Sequence, residues 1–192
     1  MNARRLFVAL PLPATVKAEL NSLVHVLRSR APGVRWVRPE HLHVTLRFLG
    51  DVEEEQSVVL VESLKQVTEL PPFTFNLAGL GAFPDRKRPR VVWTGIDSGR
   101  DQMMALAACV EKSVTASGLP PEDRPFSPLL TLGRVKEAGD FTALWQEAGA
   151  TSFVGKQVVA SDVRLIWSTL TPAGPVYRDV ESFPLRGKEN QS

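Results

Sequence analysis

His43 and Thr45 stand two residues apart in HVTLRFLGDV, and Thr131 occupies the matching place in LLTLGRVKEA, which begins at Leu129, 86 residues further on. Alternate side chains of a strand face the same way, so His43, Thr45 and Arg47 are expected on one face. Leu42, Val44, Leu46 and Phe48 are expected on the other. An imidazole and a hydroxyl with α-carbons roughly 7 Å apart can grip one small anion between them. On a phosphate, the threonine hydroxyl donates to a non-bridging oxygen. The histidine, which titrates near neutrality, passes a proton to or from a bridging one. A single strand of this kind is common on solvent-facing sheets. Two related copies say more, because opening or forming a strained phosphodiester needs a base on one side of phosphorus and an acid on the other. Two imidazoles would fill both roles without a metal. The second copy, however, has Leu129 where its imidazole is needed.

The other histidines do not complete a different site. His25 falls within an amphipathic helical stretch, where it reads as a surface or satisfied residue. His41-x-His43 has the spacing of two metal ligands on one strand, but no cysteine is nearby and no third histidine completes a zinc set. No metal and no other cofactor is expected.

The elements that must position these residues follow from periodicity. Strands are expected at 4–12, 34–37 and 41–49, with a helix at 13–30 between the first two. A helix over 52–69 starts at a capping-box-like Asp51 and Glu54. Strands at 73–83 and 90–96 form a hairpin through the basic turn PDRKRP, followed by an amphipathic helix at 100–117. A strand over 126–135 leads to a short helix, 140–148, closed by Gly149. KQVVASDVRLIWSTL and VYRDVESFPL read as a final pair of strands, and the tail GKENQS as loose. Strand, helix and two strands from position 43 answer strand, helix and two strands from position 129, the pattern of an internal duplication. The expected fold class is α+β and bilobal: two pseudo-symmetric lobes of antiparallel sheet, helices packed outside, and the active-site cleft between them. Residues 1–192 are expected to form one domain of two interleaved lobes.

Composition sets outer bounds. The chain is 43% hydrophobic and 23% charged, with a net charge of +2, and no apolar run approaches a membrane span. The N-terminal MNARRLFVALPLPATV has a basic start, but Pro11 and Pro13 interrupt its apolar run, so it reads as the first strand rather than a secretory signal. A single cysteine, Cys109, excludes an intrachain disulfide and reads as a buried thiol. A soluble, cytoplasmic protein without membrane association is expected, and a monomer. The cations are 16 Arg against 7 Lys, a bias that suits phosphate recognition and equally follows from genomic base composition.

HLHVTLRFLGDV, GLGAFPDRKRPRVVWTGI, PFSPLLTLGRV and IWSTLTPAGPVYRDVESFPL together resemble the bacterial and archaeal RNA 2′,3′-cyclic phosphodiesterases. These are also called 2′-5′ RNA ligases and belong to the two-histidine (2H) phosphoesterase superfamily. The resemblance runs from Arg5 to Leu185. It implies that each lobe presents one His-x-Thr-x motif to a central cleft, with His43 the proton donor to the leaving oxygen and Thr45 and Thr131 on the phosphate. The family's second motif, Pro-His-x-Thr-Leu-x-Arg, falls on Pro128, Leu129, Leu130, Thr131, Leu132, Gly133 and Arg134. Leu129 therefore stands where the family keeps its proton acceptor.

Arg134 matches the family's phosphate-contacting arginine, although simple alternation puts it opposite Thr131, so it must act from the strand's end or after a bulge. Arg47 is a second substrate-binding candidate, a salt bridge being the alternative. Tyr177 is the aromatic that the resemblance picks out for stacking a base, while Phe7 and Trp36 read as core or stacking residues. The basic run DRKRPR (85–90) either meets an RNA backbone or is merely solvated.

The implied activity is hydrolysis of a terminal 2′,3′-cyclic phosphate to a 2′-phosphomonoester, impaired here by Leu129. The implied partners are RNA ends or nucleotides carrying 2′,3′-cyclic or 2′-phosphate. The alternatives are a noncatalytic RNA-end or nucleotide binding module, and 2′-5′ RNA ligation. Leu129 itself admits three origins: an engineered substitution, a degenerate paralogue, or a site in which another residue has taken over.

Overall fold

In RRLFVALP the residues Leu6, Phe7, Val8, Ala9 and Leu10 are all buried. An uninterrupted apolar run of this kind is what a strand needs when both its faces are covered. The computed structural model describes residues 3–188, so the last part of the tail GKENQS lies outside the described residues. The chain runs β1 (Arg4–Pro11), α1 (Ala14–Arg28), β2 (Val34–Trp36), β3 (His43–Val52), α2 (Glu54–Leu64), β4 (Phe73–Phe83) and β5 (Val91–Ile96). It continues through α3 (Arg100–Ala116), β6 (Leu129–Val135), α4 (Thr142–Thr151), β7 (Val154–Ala160), β8 (Asp162–Thr171) and β9 (Gly174–Pro184).

These strands form two antiparallel sheets with helices packed around them, the bilobal α+β arrangement expected. The first sheet has the order β3-β1-β8-β9 and the second β2-β6-β5-β4-β7. Each motif strand is thus completed by the strands that follow the other motif. β3 shares a sheet with β8 and β9, and β6 with β4 and β5.

Leu20 and Leu27 of α1, Leu60 and Leu64 of α2, and Met103 and Val110 of α3 pack with one face of the sheets, including Val44, Leu46, Leu130 and Leu132. Phe7, Ala9 and Ile166 form a separate small cluster with Tyr177. They pair on the same side as Thr45, away from the main core. Among the described residues no helix is long and apolar enough to cross a membrane.

Local expectations needed correction where periodicity carried through a break. KQVVASDVRLIWSTL is two strands: the chain leaves the second sheet at Ala160 and enters the first at Asp162. Both ends stay buried, through Ala160 and Val163, so no loss of hydrophobicity marks the crossing. The strand expected from 41 begins at His43, because Pro39–His41 forms a 3-10 turn with Pro39 at its start. His41 and His43 therefore do not share a strand face. The strand expected from 126 begins at Leu129.

The helix expected over 52–69 is α helix only for Glu54–Leu64, followed by a 3-10 turn over Lys65–Glu69. Asp51 belongs to β3, and the residue before the helix, Glu53, makes no side-chain cap, so the capping box is absent. The short helix runs through Gly149 to Thr151. Ser152, with φ 44°, takes the left-handed turn assigned to Gly149. Cys109 is only partly buried.

Candidate functional site: a cleft between two bulged strands

β3 and β6 approach each other between the sheets, and each carries a bulge immediately after its threonine. On β3, Ala9 of β1 pairs with Thr45 and Val8 pairs with Arg47, so Leu46 is skipped. On β6, Trp93 of β5 pairs with Thr131 and Val92 with Gly133, so Leu132 is skipped. An extra residue reverses the alternation beyond it.

Phe7 then pairs with Phe48, which puts His43, Thr45 and Phe48 on one face and turns Arg47 away. Val91 pairs with Arg134, which puts Leu129, Thr131 and Arg134 on one face. The two motif strands thus present His43, Thr45 and Phe48 against Leu129, Thr131 and Arg134, each pair 86 positions apart in the sequence. Gly133 fits this bend because a β-carbon there would lie 2.6 Å from Val34 Cγ1 and 3.1 Å from the Trp36 ring.

His43 sits in an aromatic niche. Its ring stacks on Phe7 at 4.9 Å, meets Tyr177 edge-on at 5.6 Å, and its Nδ1 lies 2.6 Å from the carbonyl oxygen of His41. A carbonyl only accepts, so Nδ1 carries the proton and the neutral ring keeps Nε2 bare. The His41 ring packs on Tyr177 at 4.6 Å. Burial pushes the His43 pKa down to about 4; the bond to the His41 carbonyl works against this, and the charges of Lys17 and His41 add to it. His41 is also lowered, chiefly by burial. Burial raises Tyr177, against the opposing charges of Arg134 and Arg5, so Arg134 acts at this end of the cleft.

The depressed His43 value makes a prediction for stability. The folded ring stays neutral down to about pH 4, whereas the unfolded ring takes up a proton below its ordinary value of 6.5. The contribution is complete above pH 6.5 and is lost as the pH falls toward 4. By pH 5 the loss is about 2 kcal/mol. Urea unfolding at pH 7.5 and pH 5 checks this: His43→Asn should lack that part of the acid sensitivity, and identical pH dependence in both proteins would contradict it.

Cations gather beyond His43. Arg35 of β2 pairs directly with Arg134, both are exposed, and neither has an ion-pair partner among the described residues. Like charges directly opposite one another are unfavourable without an anion to share. Arg38 donates to the Ala173 carbonyl at 3.2 Å, and Lys17 to the Glu40 carbonyl at 3.3 Å. A cavity of about 280 Å³ lined by Arg38, His41, Thr171, Gly174 and Tyr177 opens here.

On the other side of the threonines lies a larger cavity of about 800 Å³, whose walls include Thr45, Phe48, Phe83, Met104, Leu129 and Thr131. Arg47 reaches it from the side. Its guanidinium donates to Glu111 at 2.6 Å, to Glu122 at 3.0 Å, and to the carbonyls of Phe48 at 2.7 Å and Pro120 at 2.6 Å. Arg47 is therefore held by protein acceptors and does not stand on the His43 face.

Of the aromatic candidates, Phe7 and Tyr177 flank His43, and Trp36 is buried in the core. In the basic turn, Arg86 lies over Trp145 at 5.0 Å while its carbonyl accepts from the indole, so this turn is docked on α4. Lys87 and Arg88 remain exposed. Sequence reasoning missed Phe48, Phe83 and Arg35. Only the pairing of neighbouring strands identifies them. Among the described residues no group of three or more His, Cys, Asp or Glu is placed to hold a metal.

Two bulged, phosphate-sized motifs facing one another between antiparallel sheets define a class, and residues 10–93 match the family profile described as LigT like Phosphoesterase. The RNA 2′,3′-cyclic phosphodiesterase of Archaeoglobus fulgidus is 37% identical over 93% of this chain and 99% of its own length. That of Methanothermobacter thermautotrophicus is 34% identical over 94% and 98%. A protein of solved structure from Thermus thermophilus superposes with a TM-score of 0.79 at 31% identity, covering 96% of this chain and 100% of that one. Escherichia coli LigT in complex with 3′-AMP gives 0.77 at 26% identity, covering 96% and 99%. The chain belongs to the RNA 2′,3′-cyclic phosphodiesterase family.

Proposed function

We propose that this protein binds RNA ends carrying a 2′,3′-cyclic phosphate and opens them, slowly, to 2′-phosphomonoesters. The observation that carries this reading is the pair of matched strands, which bring Thr45 and Thr131 to one cavity. The threonine hydroxyls donate to the non-bridging oxygens, and Arg134 with Arg35 balances the charge. Water attacks phosphorus in line with the 3′-oxygen, the P–O3′ bond breaks, and O3′ takes the proton from His43 Nε2. A neutral His43 is poised for this only once an anion lies beside it, since the phosphate charge raises the proton affinity that burial lowers. Leu129 offers water no base, so turnover is low while binding persists. No step requires a metal.

The test is hydrolysis of a nucleoside 2′,3′-cyclic phosphate by this chain and by Leu129→His, each with and without chelator, with the product identified. The reading expects a 2′-phosphate, a faster variant, and no effect of chelation. A 3′-phosphate product, or a rate abolished by chelator, overturns it. Leu129 favours a second reading, noncatalytic recognition of RNA ends, which expects no turnover even with histidine restored.

A further inference from the structure

The two ends of the cleft differ, and the difference follows from the paired bulges. Where β6 sets Arg134, β3 sets Phe48. Around Leu129, on the side of the threonines away from His43, the wall is hydrocarbon: Phe48, Phe83 and Met104 are exposed by 58%, 44% and 40%. Large apolar side chains left wet around one cavity point to a ligand rather than to folding.

We infer that this cavity is a pocket for the base of a second nucleoside, esterified to the phosphate on the side opposite His43. The inference rests on the phosphate assignment to Thr45 and Thr131. A volume of about 800 Å³ is far more than a water molecule needs and falls within the range of small-molecule sites. The aromatics come from opposite sheets, Phe48 from β3 and Phe83 from β4, so a planar group can lie between them. Phe83 is backed by Trp93 at 5.4 Å. That indole lies across the strand at Gly81, where a β-carbon would come within 2.3 Å of the ring, so only glycine allows it to lie flat.

Charge selects a terminal nucleoside over a continuing strand. Glu111, Glu122 and Asp123 line the mouth against Arg124 and the enclosed Arg47. Carboxylates there repel further phosphates and accept hydrogen bonds from amino groups of a base. The unpartnered Arg35 and Arg134 take the phosphates of the chain at the other end.

Calorimetry on the full chain with inorganic phosphate, adenosine 2′-monophosphate and 2′,5′-linked adenylyl-adenosine tests the pocket. The dinucleotide should bind roughly tenfold or more tightly than the mononucleotide, the scale of one stacked base. Phe48→Ala and Phe83→Ala should each remove most of that gain and leave mononucleotide affinity unchanged, whereas Arg35→Ala should weaken both ligands. Equal affinity for the two ligands, or a gain that survives both aromatic substitutions, overturns the pocket. Failure of the mononucleotide itself to bind would instead defeat the phosphate assignment, and the pocket with it.

Discussion

Leu129→His is expected to raise the hydrolysis of a nucleoside 2′,3′-cyclic phosphate by about 10²- to 10⁴-fold, the usual contribution of one general acid or base. In barrier terms this is roughly 3–5 kcal/mol. The backbone is ready for it: position 129 pairs with Gly95, so no side chain of β5 crowds the new ring, and the residue already lines the cavity beside Thr131. The strand around it keeps the form of its counterpart on β3, with the bulge at the equivalent leucine. Steady-state rates over pH 5–9 provide the measurement. The variant should show a bell-shaped profile with two titrating limbs, and adding His43→Ala should return the rate to that of the parent or below. A rate unchanged by the imidazole would refute the account of Leu129 as a missing base. Because Leu129 also forms part of the apolar pocket, the same substitution should reduce the preference for a dinucleotide.

Arg47→Ala is expected to destabilise the fold by about 3 kcal/mol, the lower end for removing one partner of a buried ionic network. The arginine side chain is 10% exposed, but its partners Glu111 and Glu122 are 33% and 41% exposed, and solvent screening holds the cost to that end. Removing the guanidinium leaves the carbonyls of Phe48 and Pro120 without this donor and releases Glu111, whose other oxygen accepts the Glu122 amide at 2.8 Å. Arg47→Lys should recover only part of the loss, because a single ammonium cannot span acceptors that a planar fork reaches. Urea denaturation of the three proteins measures this. A loss below 1 kcal/mol in Arg47→Ala would show the network to be ornamental. Since the network ties β3 to α3 and to the segment leading into Leu129, the alanine variant should also bind nucleotides more weakly.

Reading by period two placed Thr45 and Thr131 correctly and failed one residue later on each strand. Leu46 and Leu132 are ordinary strand leucines, both buried, and nothing in their chemistry announces that they are the skipped residues. The insertion shows only in the partner's register, as Val8 against Arg47 and Val92 against Gly133. The need for a bulge to bring Arg134 onto the face of Thr131 was legible, because the alternation made the conflict explicit. The matching event on β3 raised no conflict, so Arg47 was assigned to the cleft face and Phe48 to the core face, the reverse of the structure. Arg35 was invisible for a different reason: β2 is short, and its meaning comes from a neighbour almost a hundred positions away. The helices were easier, since each carries its own apolar stripe and needs no partner to define it.

The exchange of strands between the sheets bears on how the molecule comes together. A chain cut in the loop before Leu129 would give an N-terminal piece holding β3 without β8 and β9, and a C-terminal piece holding β6 without β4 and β5. Neither fragment could complete a sheet, yet mixing them should rebuild both, because every missing pairing is supplied by the other piece. The same long-range closure delays folding until distant segments have met, so the duplicated halves mature as a mutual pair rather than one after the other.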